Sequence, residues 1–432
     1  MAIYFESSKR ESPASVDIVP PRQGETMLGV PFEKRDVVRV GFIGLGGRGY
    51  GQLKEMLAVE GAQITAINDI SQDNITRARD EVVEKGQPEP AIETDWQRLC
   101  ERNDVDLVYT CSPWNMHVPV AVYAMECGKH VAVEVPAATT IEGCWKLVDT
   151  SERTRKHCVM LENCCYGAEE MLALSMVRKG LLGTITHGEA AYIHDLRAVL
   201  LGDTGEGLWR REPHKTRDAN LYPTHGLGPV AWYMNVNRGD RFTKIVSMSS
   251  LSASLSEYRD ATLAKDDPKL KETYSCGDMN LSFIQTEMGR TILLEHDVVT
   301  PRPYSRLNLV QGTKGIFSGW PHRVYLDGKS EEHEWEELDA YKEQYQHSLW
   351  RKHGEKALEL GGHGGMDFIM NYQLIQLYRN GMAPDIDVYD AAAWSAPCAL
   401  SEISITNENI PLSFPDFTRG NWKEADTRAQ DI

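Results

Sequence analysis

Nowhere in the chain is there a run of about 18 apolar residues, so no membrane span is expected. Positive charge is also short. Against 63 Asp and Glu stand 46 Lys and Arg, a formal charge of −17. Such a surface repels nucleic acid and anionic membranes, and neither is expected as a partner. The nine cysteines are odd in number and irregularly spaced, with no C-x-x-C and no Cys/His pattern of zinc spacing. That excludes a disulfide framework and leaves thiols suited to a reducing compartment, with no metal expected. Cys164 and Cys165 read as packing residues. The stretch Met1–Arg10 lacks the long apolar core of a signal peptide, which makes the cytoplasm the expected location. Internal repeats and low-complexity segments are missing as well.

What is present is ordinary for a globular protein: 432 residues, 41% hydrophobic and 25% charged, enough for two or three domains. Residues 1–36 are polar and hold four prolines, and they read as an extended arm that wraps the surface or reaches another subunit. From Val37 the rhythm is strand, helix, strand. Val37–Ile43 is an apolar strand. It runs into Gly44-Leu45-Gly46-Gly47-Arg48-Gly49, then a helical run Tyr50–Val59, then a second strand ending at Asn68-Asp69. A bare G-x-G-x-x-G is weak, but here the strand, the helix and an acid 20 residues past Gly49 are all in place. Gly44 permits the tight turn, Gly46 lets the backbone approach a pyrophosphate, and Gly49 lets the helix pack close. The helix N-terminus offers free N–H groups to phosphate. Asp69 accepts from a ribose diol and repels a 2′-phosphate, which favours NAD over NADP. The other reading is a glycine turn in an unrelated α/β protein.

Further apolar runs at Val105–Thr110, His130–Glu134 and Cys158–Leu161 alternate with helical stretches near 72–85, 117–128 and 141–155. Short apolar runs between helices fit a parallel sheet buried on both faces, so residues 37–160 are expected to form a doubly wound Rossmann domain. Ligands there sit beyond the carboxyl ends of the strands, near Asp69, Ser112–His117, Glu134–Pro136 and Glu162–Tyr166. Residues 161–432 change rhythm. A helix near 169–179 precedes strands near 184–193, 244–252, 279–286, 290–298 and 307–311, with Gly289 in a hairpin turn. Helical stretches near 365–379 and 389–404 and an irregular tail from Glu408 follow. The expectation is an α/β protein whose second domain is α+β, with a mostly antiparallel sheet. One face of that sheet is free to cover the cofactor or to meet another subunit, which leaves room for a homo-oligomer. The long segment His194–Asn220 reads as a functional or mobile loop.

That loop leads into Tyr222-Pro223-Thr224-His225-Gly226-Leu227-Gly228-Pro229 and an apolar helix. A histidine in a first helical turn can act as a general base, because its pKa lies near working pH and the dipole there favours the neutral ring. A lone histidine in such a place is more often a packed cap. The crowding of Tyr222 and Arg211 into the same segment favours the base. Tyr192 at a strand end, Arg211 and Tyr304 in Pro301–Arg306 are further candidates for substrate contact, each with a plain packing or surface reading beside it. Gly361–Asp367 is either a flexible loop near a site or a hinge before a helix.

These residues carry a resemblance. The glycine-rich domain, Glu134-Val135-Pro136 and a sheet domain resemble the family of glucose-fructose oxidoreductase and inositol dehydrogenase. Within it, Gly44–Gly49, Trp114-Asn115-Met116-His117, Glu162–Gly167, Trp209-Arg210-Arg211, Tyr222–Val230, Pro301–Arg306 and Gly361–Asp367 are most similar to glycoside hydrolase family 109, the NAD-dependent α-N-acetylgalactosaminidases. The wider family usually has Lys at the position of Val135 and Asp at that of Leu221. Both usual helpers of net hydroxyl oxidation are absent here, while the histidine remains.

The resemblance implies that NAD is held and recycled. The sugar is transiently oxidised at C3, its C2 proton is removed, the aglycone is eliminated, water adds and the hydride returns. It is an exception to the two-carboxylate scheme. It further implies NAD contacts at Gly47, Arg48, Asp69, Trp114, Asn115, Met116, His117, Glu134, Val135, Asn163 and Tyr222, beside the glycines Gly44, Gly46 and Gly49. Implied substrate contacts are Tyr192, Arg211, Tyr222, Pro223, Thr224, His225 and Tyr304. His225 would be the acid/base, with Tyr222, Tyr304 or Tyr192 assisting. The expected substrate is a small glycoside or a glycan terminus. The alternatives are a sugar dehydrogenase with net NAD turnover and, with least support, a non-catalytic NAD sensor.

Overall fold

Strands β1 (Val38–Ile43), β2 (Ala62–Asn68), β3 (Ala91–Ile92), β4 (Leu107–Thr110), β5 (His130–Val133) and β6 (Cys158–Met160) form one parallel sheet in the order β3-β2-β1-β4-β5-β6. This is the doubly wound arrangement read from the sequence, in a computed structural model that describes residues 13–423. Residues 1–12 of the expected arm and 424–432 of the tail lie outside the described residues. Every residue of β4, β5 and β6 is buried, because helices cover both faces. The connection reverses direction between β1 and β4, and the crevice at their carboxyl ends is where such sheets take a ligand.

Two helices from late in the sequence return to this sheet. Met366–Asn380 docks beside the helix Gly47–Leu57 through a buried polar knot. In it the Tyr109 hydroxyl lies 2.8 Å from Gln52 Oε1 and 2.9 Å from Asn371 Oδ1, and Asn371 Nδ2 donates to Gln52 Oε1 at 2.6 Å. On the other side Val388–Ser395 packs along Ile141–Thr154, and the Ala137 N–H donates to Ser395 Oγ at 3.0 Å. The helix expected over 389–404 is two helices. Pro397 opens the second, Pro397–Thr406, where its missing N–H leaves no bond unmade.

The second sheet has nine strands. These are β7 (Ile185–Ile193), β8 (Phe242–Ser249), β9 (Asn280–Thr286), β10 (Thr291–Asp297), β11 (Leu309–Gly312), β12 (Gly315–Gly319), β13 (His322–Leu326), β14 (Glu336–Glu337) and β15 (Leu412–Ser413). Their order is β14-β13-β12-β11-β7-β10-β9-β8-β15. All pairs are antiparallel except β7 with β10. Gly289, at φ +80°, turns the β9–β10 hairpin. Strand β9 alternates buried and exposed residues along its whole length, so one face is covered. The other shows Leu281 and Phe283, with Met248 of β8 also exposed.

Within the described residues the arm lies along its own chain. Phe32 stacks on Tyr378 with ring centroids 4.6 Å apart and meets His157 edge-on at 4.5 Å. The Met27 N–H donates to the Tyr389 hydroxyl at 2.9 Å, and Arg22 pairs with Glu152 at 3.1 Å. None of the nine cysteines is in a disulfide, and Cys164 and Cys165 are buried in packing as expected. Among the described residues, no helix is long and apolar enough to cross a membrane.

Candidate active site

The glycine loop has the shape its sequence demands. Gly44 sits at φ +86°, where a Cβ would meet the Cys111 carbonyl oxygen at 2.8 Å, and a Cβ on Gly49 would lie 1.9 Å from the Gly44 oxygen. Nothing lies within 4 Å of a Cβ built on Gly46 or Gly47. The loop is therefore closed on its inner side and open at the N-terminus of Gly47–Leu57, a cradle that fits a pyrophosphate. Asp69 follows β2 and is half-buried. It accepts the Leu45 N–H at 2.5 Å and the Ser71 N–H at 2.7 Å, which fixes the carboxylate at the edge of that cradle. The residues present fit NAD.

The remaining dinucleotide candidates cluster at the carboxyl strand ends. Trp114–His117 opens the helix Trp114–Glu126, with Trp114 and His117 buried, Met116 half-buried and Asn115 exposed. His117 places Nδ1 2.7 Å from the Pro136 carbonyl and Nε2 2.8 Å from that of Ser112. Both contacts are hydrogen bonds only for a doubly protonated ring. Burial lowers the His117 pKa, which favours the neutral ring, whose one N–H donates to one of the two carbonyls. Glu134 Oε1 pairs with Arg48 Nε at 2.6 Å, Val135 is buried beside it, and Asn163 Nδ2 donates to Asp367 Oδ1 at 2.7 Å.

The opposite wall comes from the second half of the chain. Helix Thr224–Tyr233 lies hard against β7 on one side and the segment after β6 on the other because two of its residues lack side chains. A Cβ on Gly226 would sit 2.3 Å from the Ala191 nitrogen, and one on Gly228 would sit 2.9 Å from Glu162 Cγ. Squeezed between β7 and the segment after β6, the helix presents His225 to Glu162. Oε1 of Glu162 lies 2.7 Å from His225 Nδ1, and Glu162 is fully buried. Burial pushes the Glu162 carboxyl up. The charge of His225, its hydrogen bond and the one from the Cys164 N–H are among the effects that together outweigh it, and the net pKa is lowered. With Nδ1 committed to this carboxylate, Nε2 is the nitrogen left to exchange a proton with a substrate.

Around His225 stand the expected aromatic residues. Tyr222 meets it with ring centroids 4.8 Å apart, Tyr192 at 5.3 Å, and the two tyrosines lie 4.5 Å from each other. Tyr304 is 6.0 Å from Tyr192 and is held by Arg306 at 3.1 Å. Tyr222 also reaches Trp114 at 5.8 Å, which joins this group to the dinucleotide crevice. Burial raises the pKa of Tyr192, Tyr222 and Tyr304, so all three phenols stay protonated and keep an O–H that can donate. Pro223 and Thr224 are buried and form the start of the helix rather than a lining surface.

Arg211 stands apart from this group. Its Nε pairs with Glu272 at 2.9 Å, and another nitrogen donates to the carbonyls of Leu200 and Gly207 at 2.8 and 3.1 Å, inside the 194–220 segment. The cation beside Tyr222, Trp114 and Tyr192 is its neighbour Arg210. The Arg210 guanidinium lies 4.8 Å from the Tyr222 ring centre, 5.5 Å from Trp114 and 5.7 Å from Tyr192. Arg210 immediately precedes the helix Arg211–Thr216, and it is the start of that helix that decides which of two adjacent arginines turns inward. A pair of adjacent arginines gives no sign of this in sequence. Glu162 was visible only as one of several residues at a strand end, since its partner lies 63 residues further on.

Ligand atoms of Glu162, Cys164 and His225 all lie within 4.8 Å of one another. A carboxylate, a thiol and an imidazole are donors suited to zinc. The expectation of no metal came from sequence spacing, and these three meet only in the fold. Here the carboxylate and imidazole are engaged with each other.

Residues 166–424 match the family model of the glycosyl hydrolase 109 C-terminal domain, and residues 38–162 match the NAD-binding Rossmann fold of an oxidoreductase family. The chain is 56% identical over 405 residues to a glycosyl hydrolase family 109 protein of Solibacter usitatus, covering 92% of each. It is 49% identical over 415 residues to one of Streptomyces filamentosus, covering 95% of this chain and 83% of that one. Solved structures of similar fold include an oxidoreductase domain protein from Kribbella flavida, with TM-score 0.69 and 18% identity over 88% of this chain and all of that one. Levoglucosan dehydrogenase in complex with NADH is similar at TM-score 0.67 and 16% identity, over 88% of this chain and 99% of that one. At those identities the likeness is one of fold. With a domain that binds NAD and a second half that matches along its length, the chain belongs to glycosyl hydrolase family 109 and is a glycoside hydrolase.

Proposed function

We propose that the protein is an NAD-dependent α-N-acetylgalactosaminidase in which His225 is the acid/base and Glu162 holds it in place. The observation that carries this reading is the Glu162–His225 pair at 2.7 Å, set among Tyr192, Tyr222 and Arg210 at the mouth of the dinucleotide crevice. When bound, NAD supplies a hydride acceptor beside a sugar carbon and gives the hydride back, so there is no net redox change. The chain's residues supply placement and proton handling. Glu162 fixes the imidazole with Nε2 outward, and His225 takes a proton from the sugar at C2 or C3 and returns it later. The protonated phenols of Tyr192, Tyr222 and Tyr304 donate to sugar oxygens, and Arg210 adds a positive charge beside them. Val135 is buried and apolar, so this position holds no lysine amine to accept the proton of an oxidised hydroxyl.

The glycoside class follows from the family. The N-acetylgalactosamine residue and the α linkage rest on the sequence resemblance, and one assay tests them. A chromogenic α-GalNAc glycoside is incubated with the protein and no added cofactor, and aglycone release is followed together with absorbance of NADH. Release without accumulating NADH is the expected result. NADH growing in step with oxidation of a free sugar, with no aglycone released, favours the dehydrogenase alternative and sinks the proposal. We also propose that two copies pair through the open sheet face that carries Phe283 and Met248. A monomeric mass by light scattering at micromolar concentration would rule this out.

A further inference from the structure

Arg48 is the second residue of helix Gly47–Leu57, at the rim of the pyrophosphate cradle. Its side chain is half-buried and folds back onto the protein. Besides the Glu134 pair, one of its terminal nitrogens lies 2.8 Å from Asp367 Oδ2 and 3.1 Å from His363 Nδ1. His363 itself is 2.7 Å from Asp367 Oδ2, and the other Asp367 oxygen accepts from Asn163 at 2.7 Å. Asp367 is thus a buried carboxylate that holds two of the expected dinucleotide contacts, Arg48 and Asn163, at once.

The loop that brings it there, Gly361–Gly365, is bent into an unusual path. His363, Gly364 and Gly365 are left-handed at φ +46°, +69° and +93°. A histidine Cβ crowds the backbone in that region, and such strain persists where the surroundings impose it. The loop is pinned at one side by the Gly362 N–H, which donates to Glu55 of Gly47–Leu57 at 3.1 Å, and at the other by His363 and Asp367. A Cβ on Gly362 would lie 2.5 Å from Glu55 Oε1, so the two segments are in direct contact. Four separate parts of the chain therefore meet at the carboxyl ends of the parallel strands, where the dinucleotide lies.

We propose that Asp367 and His363 are positioning residues for NAD, which latch the Gly361–Gly365 loop onto the cradle and slow release of the cofactor. A hydrolase that regains its cofactor at each turnover gains from slow release, and the latch rests on that reading of NAD as a retained group. Removing a hydrogen bond to a charged group costs about 1.5–3 kcal/mol, so release should quicken roughly tenfold or more in Asp367→Asn, and by a smaller factor in His363→Ala.

The test needs no turnover. Full-length protein is loaded with the fluorescent analogue etheno-NAD and chased with excess NAD, and release is followed by fluorescence. His363 is largely exposed, so His363→Ala should fold even if Asp367→Asn does not. Faster release from His363→Ala with an unchanged melting temperature of the NAD-free protein supports the latch. Release at the unaltered rate from a folded His363→Ala overturns it. Failure of the unaltered protein to bind etheno-NAD overturns the cofactor reading on which it rests.

Discussion

Glu162 Oε1 and His225 Nδ1 lie 2.7 Å apart, although 63 residues separate them and they belong to different halves of the chain. Glu162 follows the last strand of the parallel sheet and His225 opens a helix of the second half. The proposed acid/base is therefore held where the segment after the parallel sheet meets the second half of the chain. Nothing in this arrangement requires a second carboxylate at the scissile bond, as an ordinary glycosidase would.

Glu162→Gln keeps the shape of the side chain but removes its charge, so the ring is left with a weaker neutral acceptor and loses the counter-charge to its protonated form. The expected outcome is a loss of roughly 10–100-fold in kcat, as for other groups that orient a catalytic ligand or base, with KM changed little. His225→Ala should lose more. Retention of bound NAD in both, measured by absorbance after denaturation, separates lost proton transfer from lost cofactor. Full activity in Glu162→Gln would remove it from the role.

Arg210 and Arg211 should part company on substitution. Arg210→Ala takes a buried cation from among Trp114, Tyr192 and Tyr222, and leaves Glu206 without its partner at 2.6 Å. It is expected to raise KM for the glycoside at least about tenfold. Arg211→Ala loosens the loop around Leu200, Gly207 and Glu272 and is expected to lower the melting temperature while KM moves by less than about threefold. Steady-state kinetics with circular dichroism melts distinguishes the two. The reverse pattern would return the substrate contact to Arg211.

Legibility in the sequence follows the physics of each element. The dinucleotide half was readable because buried parallel strands leave continuous apolar runs and because Gly44 and Gly49 have no substitute at their positions. Residues 312–360 were not. The hairpin of β12 and β13 is short and carries Pro321 at its turn, and the helix Ser348–Leu360 buries only a narrow stripe through Leu349, Trp350, Gly354 and Ala357. The return of Met366–Asn380 to the first sheet is a long-range docking through Gln52, Tyr109 and Asn371, which no local pattern announces. At the site, the Tyr222–His225 block was visible because four unusual residues adjoin. Glu162, Arg210 and Asp367 act through partners far away in sequence.

Stability should fall in mild acid because of buried neutral histidines. Burial holds His157 down to about 4 and His214 down to about 3, each from an ordinary value near 6.5. At neutral pH neither the folded nor the unfolded form is protonated there, and no penalty arises. Below about pH 6.5 the unfolded chain takes up protons that the native state refuses, so stability drops until the native values are reached. At pH 5 His157 alone should contribute a loss of about 2 kcal/mol. Urea midpoints at pH 7 and pH 5 check this, with a smaller difference expected for His157→Gln. Equal midpoints at both pH values in the unaltered protein would contradict it.

The glycines beside His225 offer a way to disturb the pair without touching it. Gly228 leaves room for Glu162 Cγ, Cys165 Sγ and Trp394, and a methyl group there would come within 2.9–3.1 Å of all three. None of these can withdraw easily, since Glu162 is bonded to the Cys164 N–H and Trp394 is fully buried. The helix Thr224–Tyr233 must then shift away from the β6 side, and overpacking of this kind costs about 1–3 kcal/mol. Gly228→Ala is therefore expected to fold with reduced stability and to lose activity through a lengthened Glu162–His225 contact. The same variant in a Glu162→Gln background should show little further loss in kcat, because the charge pairing it disturbs has already been removed. Fully additive losses would mean that Gly228 acts on activity by another route.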